Sequence, residues 1–346
     1  MSHIISEHWD RELASHAKWP HGDHRMNHIV VYGGQYGSEG KASAAEYWAK
    51  RLKAENPRKV LFVMGENGPN SGHTSSKGVT KNIPASSFWA DYVLMGPDTV
   101  VDPEALNKDW KAVNRPIFIH EHAALLSLAM KAEEADLVKR ISSTGSGTGA
   151  ARAWKFFQRQ RSAVVQDGHL YTLNDISVVD DKEYFDIVRL AASEMAIFEC
   201  SQGLLLDTNF GLFPFVTSRS TLPRVAVERN GLGGLPWSYV GVYRTYPIRT
   251  GGPSGPTAGG EVTWQSLGQP PEITTVTKRV RRVFNFSTAE FAKSMTLARP
   301  DGLMFTFLDY IGLDPNNVRD LYEFIEWTRY QNIAILVLSA LLVTST

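Results

Sequence analysis

Residues 33 to 41 read Gly33-Gly34-Gln35-Tyr36-Gly37-Ser38-Glu39-Gly40-Lys41. Glycines bare the backbone N–H groups, and a lysine at the start of a helical pattern adds a cation, a combination suited to gripping phosphate. The spacing is not that of the usual P-loop, which wants four residues between its first glycine and Gly-Lys, then Ser or Thr. Here five residues separate Gly34 from Gly40, and Ala42 follows Lys41. A second cluster, Asn70-Ser71-Gly72-His73-Thr74, sets a histidine in a polar loop. Imidazole titrates near neutrality, so His73 is a candidate acid or base, although in isolation it reads first as a surface histidine.

Three further stretches carry groups able to bind or polarise a ligand. Ser143-Thr144-Gly145-Ser146-Gly147-Thr148-Gly149 is either a plain turn or an anion nest. Gln202, in Glu199-Cys200-Ser201-Gln202-Gly203, caps a turn or offers a neutral amide donor. The run Thr274-Thr275-Val276-Thr277-Lys278-Arg279-Val280-Arg281-Arg282-Val283 is a solvated basic face unless it is extended. If extended, Arg279 and Arg281 project to one side, where two guanidinium forks suit a ligand with two carboxylates.

These groups sit at the ends of a repeating pattern. Short apolar runs at Ile29–Tyr32, Val60–Met64, Tyr92–Met95, Pro116–His120, Ile197–Cys200, Tyr239–Arg249 and Leu303–Leu308 read as strands, with a terminal strand at Ile333–Leu338. Helical spacing fills Ala42–Leu52, Ala123–Arg140, Tyr184–Met195, Thr288–Leu297 and Asn317–Tyr330, and Asp102-Pro103 starts another helix. Alternating strands and helices predict an α/β fold: one large domain with a mostly parallel central sheet and helices on both faces. In such sheets ligands bind beyond the strand C-terminal ends, where the glycine-rich loops fall. The loop from Thr250 to Gly260 reads equally as a linker or a mobile active-site loop.

Composition narrows the partners. Lys+Arg and Asp+Glu are both 36 in 346 residues, so nothing in the bulk charge favours a nucleic-acid backbone. Cys200 is the single cysteine, which leaves no internal disulfide and fits a reducing compartment. The terminal apolar run is far short of the ~20 residues that span a bilayer. Residues 1 to 27 are rich in histidine and carry no apolar run, as a loosely ordered leader or a metal-binding tract would.

In order along the chain, the motifs resemble those of the adenylosuccinate synthetase family. The first loop is similar to G-Q-W-G-D-E-G-K, with Ser38 at the aspartate; the histidine loop is similar to N-A-G-H-T, and the stretch from Ser143 to T-T-G-R-G-I-G. Glu199 to Asp207 resembles E-G-A-Q-G-T-L-L-D, Phe213 to Ser218 resembles Y-P-Y-V-T-S, and the basic run resembles T-T-G-R-R-R-R. Phe307-Leu308-Asp309 falls on K-L-D.

The resemblance implies a P-loop-NTPase-related catalytic domain over residues 28 to 346. It also implies a reaction in which the amino group of L-aspartate replaces a purine 6-oxygen activated by phosphorylation. The triphosphate donor would meet Gly37, Glu39, Gly40, Lys41, Ala42 and Thr74, with its base at Phe307, Asp309 and Ser339. His73 would protonate or hydrogen-bond the moving phosphoryl group, while Gly72 and Ser38 would help hold Mg²⁺. Asn70, Ser143, Thr144 and Thr217 would bind the nucleotide monophosphate, joined by Arg159 from the partner of a homodimer. Gln202 would hydrogen-bond the purine 6-oxygen. Thr275, Thr277, Arg279 and Arg281 would hold aspartate.

Ser38 points to the subtype. The family aspartate takes the N1 proton, help worth about 10²–10⁴ in rate. A neutral, shorter serine leaves room for a 2-amino group, which resembles the bacteriophage branch that joins dGMP to L-aspartate on the route to 2-aminoadenine DNA. The expected substrates are then dGMP, L-aspartate and ATP (or dATP or GTP), in a host cytoplasm, with no nucleic acid or membrane as partner. An ordinary IMP- and GTP-using synthetase and a non-catalytic nucleotide-binding paralogue are the alternatives.

Overall fold

The computed structural model describes residues 26–158, 175–274, 278–311 and 334–337. Its centre is a nine-stranded sheet: β1 (His28–Gly33), β2 (Leu61–Gly65), β3 (Tyr92–Met95), β4 (Ile117–His120), β5 (Ile176–Val179), β6 (Met195–Gly203), β7 (Ser238–Arg244), β8 (Gly302–Thr306) and β9 (Ala334–Val337). Across the sheet the order is β5-β4-β3-β2-β6-β1-β7-β8-β9, and every neighbouring pair is parallel.

The connecting helices are α1 (Lys41–Glu55), α2 (Pro103–Val113), α3 (Leu128–Glu133), α4 (Ala135–Ile141), α5 (Thr148–Gln158), α6 (Asp181–Ser193), α7 (Pro223–Arg229) and α8 (Thr288–Ala298). Continuous apolar strands are what a sheet covered on both faces requires. Ile29, Val31, Leu61, Val63 and Ile197 pack against Ala44, Ala45, Trp48 and Leu52 of α1. Their strand neighbours Val30, Tyr32, Phe62, Met64 and Phe198 face the other way, against Tyr184 and Val188 of α6 and Ala226 and Val227 of α7. The expected two-faced parallel architecture is present.

The chain leaves β1, skips a position to β2 and steps outward to β5. It then returns to insert β6 between β1 and β2, and continues on the far side of β1. That reversal gathers the C-terminal ends of β1, β6, β7 and β8, the place where a doubly wound sheet receives its ligands.

Three sequence expectations change. Ala123–Arg140 is not one helix: Ala124–Leu125 pairs as a short strand with Val100–Val101, and α3 and α4 break at Glu134. The break has a cause, because the Glu134 carboxylate turns to accept from the backbone of Gly147, Gly149 and Ala150. The strand at 197–200 is longer and runs through Gln202, which is therefore a strand residue, held at a left-handed φ of 68°. The strand expected over Tyr239–Arg249 is two: β7 ends at Arg244, and Ile248–Arg249 pairs antiparallel with Val283 and Arg282. In the loop that follows, Arg249 donates to the Pro256 carbonyl (3.0 Å) and Arg282 to that of Gly255 (2.7 Å).

The Asp102 cap forms as expected, accepting from the N–H groups of Glu104 and Ala105. The leader up to residue 25 and the helix at Asn317–Tyr330 lie outside the described residues, and of the terminal run only β9 is described. Among the described residues no helix is long and apolar enough to cross a membrane.

Candidate active site

The loop after β1 is fastened to three strand ends. Gln35 exchanges two hydrogen bonds with the backbone of Arg244 at the end of β7, its Oε1 accepting at 3.0 Å and its Nε2 donating at 3.1 Å. Thr306 of β8 donates to the Glu39 carbonyl at 2.7 Å. A side chain at Gly203, the last residue of β6, would put Cβ 2.2 Å from the Gly37 nitrogen, so only glycine lets that strand end touch the loop.

Inside the loop the buried Glu39 carboxylate accepts from the N–H groups of Gln35 (3.1 Å) and Gly37 (2.7 Å) and pairs with Lys41 Nζ at 2.8 Å. Gly40 caps α1 at a φ of 86° without a side-chain cap, and the first turn of α1 carries no acidic residue. An uncapped helix start beside a buried lysine is a place for phosphate oxygens.

At the loop apex Ser38 is exposed, with a φ of 57°. Its hydroxyl accepts from the Arg281 guanidinium, and its carbonyl accepts from Arg244 Nη1 at 3.2 Å. That contact bears on the metal expected at Ser38 and Gly72. Gly72 is exposed and its carbonyl is a hard oxygen of the kind Mg²⁺ takes, whereas the charge of Arg281 on the Ser38 hydroxyl repels a second cation there. Only the Gly72 half of that pair fits.

His73 starts a hairpin with Gly78–Thr80 and is buried. Its Nδ1 lies 2.6 Å from Oε1 of Glu199 on β6, and the other Glu199 oxygen accepts from the Ser86 N–H (3.2 Å) and hydroxyl (2.8 Å). Burial pushes the Glu199 carboxyl up, but His73 and Ser86 outweigh it and hold the group below the ordinary carboxylate range. The carboxylate is placed to accept from Nδ1, and Nε2 is buried with no protein partner among the described residues. Glu199 was visible in its motif, but nothing local in the sequence pairs it with His73.

The segments expected at the monophosphate converge. A Cβ on Gly68 would lie 3.1 Å from Thr148 Cγ2 and 3.3 Å from Asn70 Oδ1, so the Asn70 loop abuts the head of α5. A Cβ on Gly149 would lie 3.0 Å from Ser218, the residue after Thr217. Within the loop, Ser146 donates to the Thr144 hydroxyl at 2.9 Å, and Ser143 accepts from the Gly145 N–H at 3.3 Å. The amides that would make an anion nest are occupied by Glu134, so this loop offers hydroxyls to a ligand.

On the opposite side Lys278 turns the basic run back on itself, with a φ of 53° and an antiparallel bridge from Ile273 to Val280. Val280 is exposed while Arg279 and Arg281 are half-buried, the alternation of an extended segment. Arg279 leans towards Gly252 and Arg281 towards Ser38. Phe307 sits beside Gly40, with one ring face covered by the Arg244 guanidinium at 3.8 Å; Asp309 is exposed. The Tyr310 ring lies 5.3 Å from that of Phe307. Arg159, Thr275, Thr277 and Ser339 lie outside the described residues.

One charged cluster went unread in the sequence. Arg219 reaches Glu66 (2.8 Å), Asp98 (3.0 Å) and the hydroxyl of Ser201, next to Gln202. Arg229 pairs with the same two carboxylates, and Arg152 of α5 donates to the Asp98 carbonyl at 3.2 Å. Burial, with repulsion from Arg219, lowers Arg152 to about 9. Three guanidiniums over two carboxylates leave positive potential next to the converged hydroxyl loops. Isolated arginines in sequence carry no periodic signal of such a cluster.

A glycine-rich loop with its lysine at the switch point of a parallel sheet, a histidine backed by a carboxylate and two nearby arginines fit a nucleotide-dependent ligase. The chain belongs to the adenylosuccinate synthetase family, whose model matches residues 169–326. It is 33% identical over 317 residues to the N6-succino-2-amino-2'-deoxyadenylate synthase of Vibrio phage phiVC8, covering 84% of this chain and 88% of that protein. It is 28% identical to the adenylosuccinate synthetase of Methanococcus maripaludis, covering 86% of this chain and 88% of the relative. Among solved structures it is similar to the cyanophage S-2L succinoaminodeoxyadenylate synthetase bound to dGMP and to dATP as energy donor. That match has a TM-score of 0.76 at 27% identity, over 88% of this chain and 91% of the other.

Proposed function

We propose that the protein joins dGMP to L-aspartate at the expense of ATP or dATP, giving N6-succino-2-amino-2'-deoxyadenylate. The observation that carries the reading is Ser38: a neutral hydroxyl at the apex of an otherwise complete phosphate loop, with Arg281 lying on it. The bacteriophage and cyanophage relatives support the choice of dGMP over IMP.

In the first step the purine 6-oxygen attacks the γ-phosphoryl group and the nucleoside diphosphate leaves. Lys41 and the start of α1 hold the donor phosphates, with Gly37, Glu39, Gly40, Ala42 and Thr74 shaping that cradle. The imidazole Nε2 of His73 meets the moving phosphoryl, and the Gln202 amide donates to the 6-oxygen as charge develops there. In the second step the aspartate amine attacks C6 and phosphate leaves. Arg279 and Arg281, with Thr275 and Thr277, orient the two carboxylates.

The monophosphate rests on Asn70, Ser143, Thr144 and Thr217 over the excess positive charge of the buried arginines, and Arg159 reaches it from the second subunit of a homodimer. Bound Mg²⁺ would neutralise phosphate charge, with the Gly72 carbonyl as its protein oxygen. The donor base packs at Phe307 near Asp309 and Ser339. The reaction runs in the cytoplasm of an infected cell.

Incubation with L-aspartate, Mg²⁺ and ATP against dGMP, GMP and IMP in parallel, with products identified by mass, tests the reading. Conversion of dGMP to its aspartate adduct with one phosphate released per turnover is expected. Turnover of IMP with dGMP inert overturns it.

A further inference from the structure

Glu272 stands at the start of the basic run, where no motif marks it, yet it touches both ends of the site. Its carboxylate receives both terminal nitrogens of Arg244, one of them at 3.3 Å, and the Tyr310 hydroxyl at 2.9 Å. Arg281 Nε lies 3.8 Å from the same carboxylate. Burial pushes the Glu272 carboxyl up, but the two arginines and Tyr310 prevail and keep it below the ordinary range.

Its partners lead in different directions. Arg244, almost wholly buried, stacks on Phe307 and holds the Ser38 carbonyl; Arg281 reaches out to the Ser38 hydroxyl. Tyr310 closes the arrangement, with its ring 5.3 Å from that of Phe307. A single negative charge is thus divided between the arginine on the donor side and the arginine on the aspartate side. Both of those arginines touch the apex of the phosphate loop.

We propose that Glu272 is a positioning residue that couples aspartate binding to donor binding, a role that rests on the ligase reading above. In the free protein Arg244 and Arg281 repel each other and compete for Glu272. When the carboxylates of aspartate neutralise Arg281, that competition and repulsion fall away, and Glu272 holds Arg244 more firmly against Phe307 and the Ser38 carbonyl. The donor face is thereby consolidated. Linkage requires the reverse as well: a bound donor tightens aspartate by the same factor.

The test is calorimetric titration of L-aspartate into the full chain with dGMP and Mg²⁺, with and without a non-hydrolysable ATP analogue. The unmodified protein should bind aspartate at least about fivefold more tightly with the analogue present, the lower end of ordinary coupling between sites. Glu272→Gln should bring that factor to about one while both ligands still bind, and Glu272→Asp should restore part of it. A residue that merely braced the fold would weaken both affinities and leave their ratio unchanged. Thermal melting of each variant separates loss of coupling from loss of folding, and Tyr310→Phe, which removes one hydrogen bond and keeps the charge, should lower the factor in a folded chain. Coupling that survives Glu272→Gln, or its absence from the unmodified protein, overturns the role of Glu272. Failure of the unmodified protein to bind aspartate at all overturns the ligase reading, and the coupling with it.

Discussion

Two glycine-rich loops frame this site, and each directs backbone N–H groups at a buried carboxylate. In the loop after β1 the carboxylate is the loop's own Glu39, which also carries Lys41, and the helix that follows starts without a side-chain cap. In the loop before α5 the carboxylate is Glu134, brought from the break between α3 and α4; it takes the N–H groups of Gly147, Gly149 and Ala150, at the start of the next helix. The first arrangement leaves a cation and a helix terminus for phosphate. The second uses its helix terminus internally and presents hydroxyls. A glycine-rich loop before a helix is therefore an anion site only when nothing in the fold already fills it.

The widest expected gap between the loops is in catalysis. Lys41→Met should lower kcat by about 10²–10³, the loss typical of one preorganised electrostatic donor. Single-turnover phosphate release measures this, and a loss below tenfold would place phosphoryl transfer elsewhere. Glu134→Gln strikes the other loop, where an amide replaces a carboxylate that accepted three hydrogen bonds. Stability should fall by about 1–3 kcal/mol, and the KM for dGMP should rise with the donor KM unchanged. If Glu134→Gln changes the donor KM instead, the assignment of the two loops to two nucleotides fails.

Smaller effects sharpen the reading of the first loop's apex. Ser38→Asp crowds the place left for a 2-amino group, at a cost of about 1–3 kcal/mol, which kcat/KM for dGMP and IMP measured side by side would register. IMP should gain where dGMP loses; equal use of dGMP by both proteins would move substrate choice to another residue. Arg281→Lys should raise the KM for aspartate roughly tenfold, because an ammonium cannot form the bidentate fork, and leave that for dGMP nearly alone.

The smallest effect concerns Glu199, which backs His73. Its folded pKa lies below the unfolded value of 4.5, so its stabilisation is present above about pH 4.5 and is lost as pH falls through the folded value. Melting followed from pH 6 to pH 3 should show a shallower acid decline in Glu199→Gln than in the parent.

The alternation of apolar runs and helical spacing is enough to place β1 to β4 and β6 to β8 and to predict a parallel sheet with ligands at its strand ends, because those strands are largely buried apolar runs. It misses the edge strand β5, where Ser177 is exposed. Apolar spacing predicts a single helix over Ala123–Arg140 because it reports a face to bury and is blind to Glu134 turning towards a loop further along the chain. The apolar run that marks the strand ends at Cys200 and leaves Gln202 beyond it, whereas β6 continues through Gln202 to pack Gly203 on the loop after β1.

What the amino-acid order determined by itself was local: which segments are strands, where the glycine loops fall, and that a lysine, a histidine and paired arginines sit beside them. Tertiary structure alone decided what each of those groups touches. Glu199 faces His73, Glu134 fills the second loop, and Glu272 stands between Arg244 and Arg281 only because the sheet sets its strands side by side in an order unlike their order in the chain. The physical reason is that a buried carboxylate must find donors wherever packing delivers them, and periodicity along a strand tells which face a side chain takes, never which distant segment meets it there.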